Sequence, residues 1–156
     1  MLVGKGVLFG FILRYSWDMK YITGMFALNI PCSLGTTGDW HRTSLPWERV
    51  EIRESDDSVL KEEGIEKDVF VEELGRNCNV ANHIRACVDM LDEGRYSLAS
   101  GMRYDFFDDD MSFNPVLFDY VYRLKAVKTP REWKAICQVL EKDYMLRWLR
   151  FLEEKE

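Results

Sequence analysis

Two histidines, four prolines and four cysteines in 156 residues leave little material for several common kinds of site. The cysteines are Cys32, Cys78, Cys87 and Cys137. They contain no Cys-x-x-Cys pair, and His41 and His83 complete no zinc-ligand spacing with them. No cleavable secretory pattern is present, so reduced thiols in a cytoplasmic protein are expected. No apolar run reaches the roughly 20 residues of a membrane helix, and no membrane association is expected. Positive charge is in deficit: 21 Lys and Arg stand against 27 Asp and Glu, for a net −6. That balance disfavours a general nucleic-acid binder, which replaces phosphate counterions with its own cations. A P-loop, a dinucleotide fingerprint and a nucleophile elbow are all missing, and no cofactor or metal is expected. The chain also lacks internal repeats and low-complexity tracts.

What is present suits a folded domain. Hydrophobic residues make up 47% and aromatics 13%, enough to bury a core without metal or disulfide staples. The charge is concentrated: residues 48–75 hold eleven acidic and four basic residues, a net −7 that accounts for the whole of the chain's −6. This stretch reads either as a solvated acidic connector or as a surface that meets a basic partner. Residues 1–13 are almost wholly apolar, yet the following Arg14–Asp18 lacks a small-x-small cleavage site. One reading is that translation begins at Met19, with 1–18 an extension that adds nothing to the core and 19–156 a single globular domain.

The expected fold is α+β, mainly α: a small N-terminal β or extended region followed by four or five helices. Residues 20–30 read as a strand or buried extended segment, with a short helix as the alternative, and 33–47 as a loop. Residues 48–54 alternate charged and apolar, which predicts a short half-buried strand with Val50 and Ile52 on one face. Residues 58–75 read mostly as loop. A helix is predicted over 80–93, capped by Asn79 and stopped by Gly94, with Val80, Ile84, Cys87, Val88 and Leu91 as its apolar stripe. A second helix is predicted over 96–107, weakened by Gly101. A third begins at Asn114-Pro115. A fourth follows the capping box of Thr129 and Glu132, continuing through Trp148 or breaking near 141–143.

Five constellations could carry chemistry. The loop Gly35–Arg42 gathers Asp39, Trp40, His41 and Arg42; Asp39 could orient His41 as a base or share a metal with it. It reads equally as a structural turn, with Trp40 anchoring the loop on the core. His83 and Arg85 lie on the first clear helix, and Arg85 is expected to pair with Asp89 four residues on. If His83 met His41 across the fold, Asp39, His41, His83 and Arg85 would form one catalytic polar site; otherwise His83 is a buried histidine with one hydrogen bond. Arg76 and His83 stand at the Arg-x(4–6)-His spacing of the higher eukaryote and prokaryote nucleotide-binding ribonucleases, but without helical context for the Arg. Asp108-Asp109-Asp110 offers three carboxylates that diverge as neighbours on a turn, and no calcium-loop pattern surrounds them. Finally, Trp133, Trp148 and Arg147 in the C-terminal helical stretch read either as core packing or, with Trp40, as an interaction surface.

Met19-Lys-Tyr-Ile-Thr, Ala27-Leu-Asn-Ile-Pro-Cys32, Gly38-Asp-Trp-His41, Gly64-Ile-Glu66, Val80-Ala-Asn-His-Ile-Arg85 and residues 97–102 together resemble a family of small uncharacterised bacterial proteins. The resemblance spans Met19 to the C-terminus. It implies a gene beside nucleotidyltransferase-type abortive-infection toxins on mobile elements, and it carries over no catalytic residue. The function expected is therefore a non-enzymatic interaction or regulatory protein of a bacterial toxin–antitoxin or phage-defence module, with a protein partner. The alternative is an enzyme acting on nucleic acid or nucleotides through the His/Asp/Arg site.

Overall fold

In a computed structural model describing residues 19–156, four short strands form one sheet in the order β2-β1-β4-β3. The expectation for residues 1–18 lies outside the described residues. β1 (Lys20–Ile22) runs antiparallel to β2 (Ile52–Glu54) and parallel to β4 (Arg76–Ala81), which pairs antiparallel with β3 (Ile65–Val71). Helix α1 (Gly24–Leu28) follows β1, and the remaining helices follow the sheet. They are α2 (His83–Asp92), α3 (Tyr96–Ala99), α4 (Met102–Asp105), α5 (Asn114–Leu124), α6 (Pro130–Tyr144) and α7 (Leu146–Lys155). The α+β, mainly α class holds, with seven α-helices among the described residues.

Several elements differ from the sequence expectation, each for a local reason. Residues 20–30 contain both predicted forms, strand β1 and then helix α1. Residues 58–75 hold β3, the longest strand among those described, rather than mostly loop. Its charged residues face water along a sheet edge, so no apolar alternation marks it. Asn79 lies within β4, and the cap of α2 is Asn82, whose side chain accepts from the Arg85 backbone N–H at 2.8 Å. Ile52 is exposed, while Val50 is only half-buried. Asn114 is already helical, so it does not cap α5.

The predicted 96–107 helix is two short ones. Gly101 between them has φ +89°, a left-handed conformation, and a Cβ there would sit 2.7 Å from Asp105 Oδ2. The C-terminal helices part at Met145, whose φ of 50° ends α6 two residues beyond the expected break.

The capping box before α6 forms as expected. Thr129 Oγ1 accepts from the Glu132 N–H at 3.2 Å, and Glu132 Oε2 accepts from the Thr129 N–H at 2.9 Å. Replacing Thr129 with Ala is expected to cost about 1 kcal/mol, read as a shift in urea midpoint with an unchanged m-value.

One hydrophobic cluster runs through the described residues, from Tyr21 and Ile22 on β1 through the whole inner face of α2 to Trp148 on α7. At its C-terminal end Phe118, Tyr144, Trp148 and Phe151 pack ring to ring, with centroids 5.1 to 5.5 Å apart around Phe118. Edge-on and stacked aromatic pairs of this kind bury large areas and add specific ring–ring attraction.

Candidate functional site

The segment after α1 is a loop that returns to the body of the molecule at several points. The Asp39 N–H donates to the Leu28 carbonyl at 2.9 Å, and the Gly38 N–H to the Phe106 carbonyl at 3.1 Å. Gly38 has φ +68°, and a Cβ on it would meet the Leu28 carbonyl at 2.1 Å and the His83 ring at 2.7 Å. The loop backbone thus lies directly on the His83 imidazole. These anchors place two polar groups on the loop.

The first group contains Asn29, Asp39 and His41. Asn29 Nδ2 donates to Asp39 at 3.0 Å, and Asn29 Oδ1 accepts from the His41 backbone N–H at 2.9 Å. His41 Nδ1 lies 2.9 Å from both Asp39 oxygens. Burial works against the Asp39 carboxylate, but the Asn29 and His41 hydrogen bonds outweigh it and hold its carboxyl below the usual range. Asp39 therefore orients the His41 ring, as the sequence allowed. Between them Trp40 does not anchor the loop: it is 79% exposed. The indole that packs on the core nearby is the half-buried Trp47, which lies edge-on against Phe26 at 5.2 Å and donates to the Arg42 carbonyl.

The second group contains Cys32, Thr36 and His83. His83 is 1% exposed at the start of α2. Its Nε2 lies 2.8 Å from the Ile30 carbonyl, so this nitrogen carries the proton. Its Nδ1 then accepts from the Thr36 hydroxyl at 2.6 Å, and Thr36 Oγ1 is 3.5 Å from Cys32 Sγ. The pattern of one carbonyl and one hydroxyl completes the hydrogen bonding of a neutral imidazole. Burial lowers the His83 pKa, but the neighbouring Cys32, the Ile30 carbonyl and Glu66 outweigh it and raise it above the usual value. Burial raises the Cys32 pKa, but His83 and Thr36 outweigh it and bring the thiol down to about 7.

Arg85 belongs to neither group. Its side chain is 0% exposed, and its Nε donates to Asp89 at 2.9 Å, the expected pairing along the helix. Its terminal nitrogens reach the Lys61 and Glu63 carbonyls and the Tyr21 hydroxyl. Asp89 in turn accepts from Tyr21, Thr23 and Arg53. Next to it Asp92 binds Arg53 and Lys128. This buried net ties β1, β2, α2 and the segment before β3 together. Of the four proposed catalytic residues, Asp39 and His41 are in direct contact, His83 sits under the same loop with different partners, and Arg85 is part of the core.

The remaining sequence candidates also have definite places. Arg76 opens β4 and is exposed, while His83 is buried beyond the strand, so the two do not share a helix. The three carboxylates at 108–110 have three separate partners. Asp108 accepts from Thr37, Asp109 from Arg103, and Asp110 from the backbone and hydroxyl of Ser112. Among the described residues no group of three or more Asp, Glu, His or Cys side chains could hold a metal ion.

The acidic stretch is joined to the rest of the molecule by Glu51 to Arg95, Glu63 to Arg123, Glu66 to Ser33 and Glu73 to Arg42. Three of its eleven carboxylates are thereby paired with an arginine. Trp148 is 0% exposed and Trp133 half-buried beside it, with ring centroids 6.2 Å apart. They line the core. What faces outward at that end is Met145, Leu146 and Arg147.

Sequence reasoning overlooked Cys32 and Thr36. They stand four positions apart, and only the return of the loop over α2 brings them to His83. No described helix is long and apolar enough to cross a membrane. Comparison with protein-family models, with curated proteins and with solved structures finds no match for this chain.

Proposed function

We propose that this chain is a non-enzymatic interaction or regulatory protein, the antitoxin-like or regulatory member of a bacterial toxin–antitoxin or phage-defence module in the cytoplasm. The observation that supports the reading is the presentation of Trp40. A fully folded loop, pinned to Leu28, Asn29 and Phe106, holds a large indole out in water. A preordered exposed Trp loses little conformational freedom when it enters a partner's pocket, which is why such residues carry much of the energy of protein interfaces. The Asp39–His41 pair and the Arg42–Glu73 pair flank it with both signs of charge. Met145, Leu146 and Arg147 at the α6–α7 corner offer a second contact area. The enzymatic alternative, acting on nucleic acid or nucleotides, has less support because Arg85 is enclosed in the core with its donors engaged.

The test is affinity capture of the tagged chain expressed from its native genomic context. A stoichiometric protein partner is expected, and Trp40→Ala is expected to weaken its capture at least tenfold without changing the melting temperature. Recovery of the chain alone, or a partner that binds Trp40→Ala as well as the native protein, would overturn the reading.

A further inference from the structure

We infer that Cys32 is a reactive thiol that exchanges with small disulfides and takes soft electrophiles, with His83 as its base and the Thr36 hydroxyl as the proton relay between them. The inference does not depend on the interaction reading. It starts from a complete donor–acceptor chain. His83 Nε2–H donates to the Ile30 carbonyl at 2.8 Å and the Thr36 O–H to His83 Nδ1 at 2.6 Å, which leaves the Cys32 S–H as the donor to Thr36 Oγ1, 3.5 Å away. A nucleophile, a base and a group that orients the base are the parts of an activated nucleophile. The Ile30 carbonyl fixes both the ring and its tautomer, and the Gly38 backbone lies against the ring so that it cannot tilt away.

The relay works in either direction. When the thiol proton passes to Thr36 and the Thr36 proton to His83, the product is a thiolate facing an imidazolium through one hydroxyl. Thr36 then donates to sulfur and accepts from nitrogen. Glu66 also faces this group: it is held by the backbone N–H and hydroxyl of Ser33, next to Cys32, and its charge favours the imidazolium. The thiol itself is partly exposed, whereas Cys87 is buried in the core, its pKa raised by the burial. Exposure together with an ionisable neighbour is what separates reactive cysteines from structural ones.

In the exchange step the Cys32 thiolate attacks one sulfur of a small disulfide such as glutathione disulfide. A new S–S bond forms, the old one breaks, and the leaving thiolate takes a proton from the imidazolium through Thr36 or from water. One thiol and one disulfide give one mixed disulfide and one thiol, with no further oxidant.

The acidity of Cys32 sets the size of the effect. A fall from the ordinary 9.0 to about 7 raises the thiolate fraction at pH 7 about 50-fold. The accompanying loss of nucleophilicity removes roughly tenfold of that, leaving a net gain of about fivefold.

The experiment treats the full chain with iodoacetamide between pH 5 and 10 and follows each cysteine by peptide mass spectrometry. Cys32 is expected to react faster than the half-buried Cys78 at pH 7, with a midpoint near pH 7. His83→Gln, which keeps a donor for the Ile30 carbonyl, is expected to slow Cys32 about fivefold at pH 7 and to move the midpoint up. Thr36→Val should act in the same direction. Glutathione disulfide should add one glutathionyl group at Cys32, removable by dithiothreitol. If His83→Gln fails to fold, the native and Thr36→Val profiles still decide. A Cys32 no faster than Cys78, or a Thr36→Val profile that coincides with the native one, overturns the inference.

Discussion

Replacing Asp89 with Ala is expected to lower stability by about 3–5 kcal/mol, because it leaves the buried Arg85 guanidinium and the part-buried Arg53 guanidinium facing an empty position. Asp89 Oδ1 accepts from Arg85 at 2.9 Å and Arg53 at 3.1 Å, and Oδ2 accepts from Tyr21 and Thr23, both at 2.7 Å. All four donors lose their acceptor at once. Arg85→Met should cost less. It removes one cation, fills part of the space with an apolar chain, and leaves Asp89 with Arg53, Tyr21 and Thr23. The order is what identifies the carboxylate as the centre of the net. Urea denaturation of both variants checks it, with the Asp89→Ala midpoint far below that of Arg85→Met. An Asp89→Ala variant within 1 kcal/mol of the native protein would rule out a structural role for the net. Burial pushes the Tyr21 hydroxyl well above the usual phenol range, with the Asp89 charge adding to the shift, so Tyr21 remains a donor to Asp89 throughout the neutral range.

The second large effect is expected at Trp148. Truncation to Ala should cost about 3–5 kcal/mol, since the ring is fully buried and is surrounded by Phe118, Trp133 and Phe151, so a cavity remains. Trp148→Phe should recover part of the loss. The contrast with Trp40 is diagnostic. Trp40→Ala removes an indole that is mostly in water and should change stability by less than about 0.5 kcal/mol. Paired denaturant curves for the two variants measure the difference. Equal losses at the two positions would mean either that Trp40 has a packing role or that the C-terminal aromatic group is not a core. The same comparison divides the aromatic candidates of the sequence into those that hold the fold and the one available to a partner.

How far the sequence could be read varied with the range of the interactions. The helical half was legible because caps and stripes are local. Thr129 and Glu132 are three residues apart and satisfy one another whatever surrounds them, and the Arg85–Asp89 pair follows from one helical turn. Gly101 was rightly seen as a weakness, although its positive φ breaks the helix rather than softening it. β4, an inner strand, was missed because its end at Val80 and Ala81 reads as the start of the following helix, and β3 because an edge strand with a wet face carries charged residues that resemble a connector. Its partner is found only in the register Val69 with Cys78 and Phe70 with Asn77. Of the site, the Asp39–His41 contact was visible because only Trp40 separates them. The Cys32–Thr36–His83 chain was not, because His83 lies 47 residues beyond Thr36.

The sequence by itself determined the class of fold, the start of α6 with its capping box, and the lack of a metal or nucleotide motif. These follow from spacing along the chain, where the interacting groups are neighbours. Only the tertiary structure decided which polar residues are available to solvent or a partner. Arg85 reads as a member of a catalytic polar site until β1, β2 and the turn before β3 close around it. Trp148 and Trp40 are the same residue type, with opposite positions set by what packs against each. Cys32 is an ordinary thiol in the sequence and acquires a base only because Gly38 lets the loop lie on His83. Burial and long-range proximity are properties of the folded chain, and in this protein they separate the residues that hold the fold from those left to act.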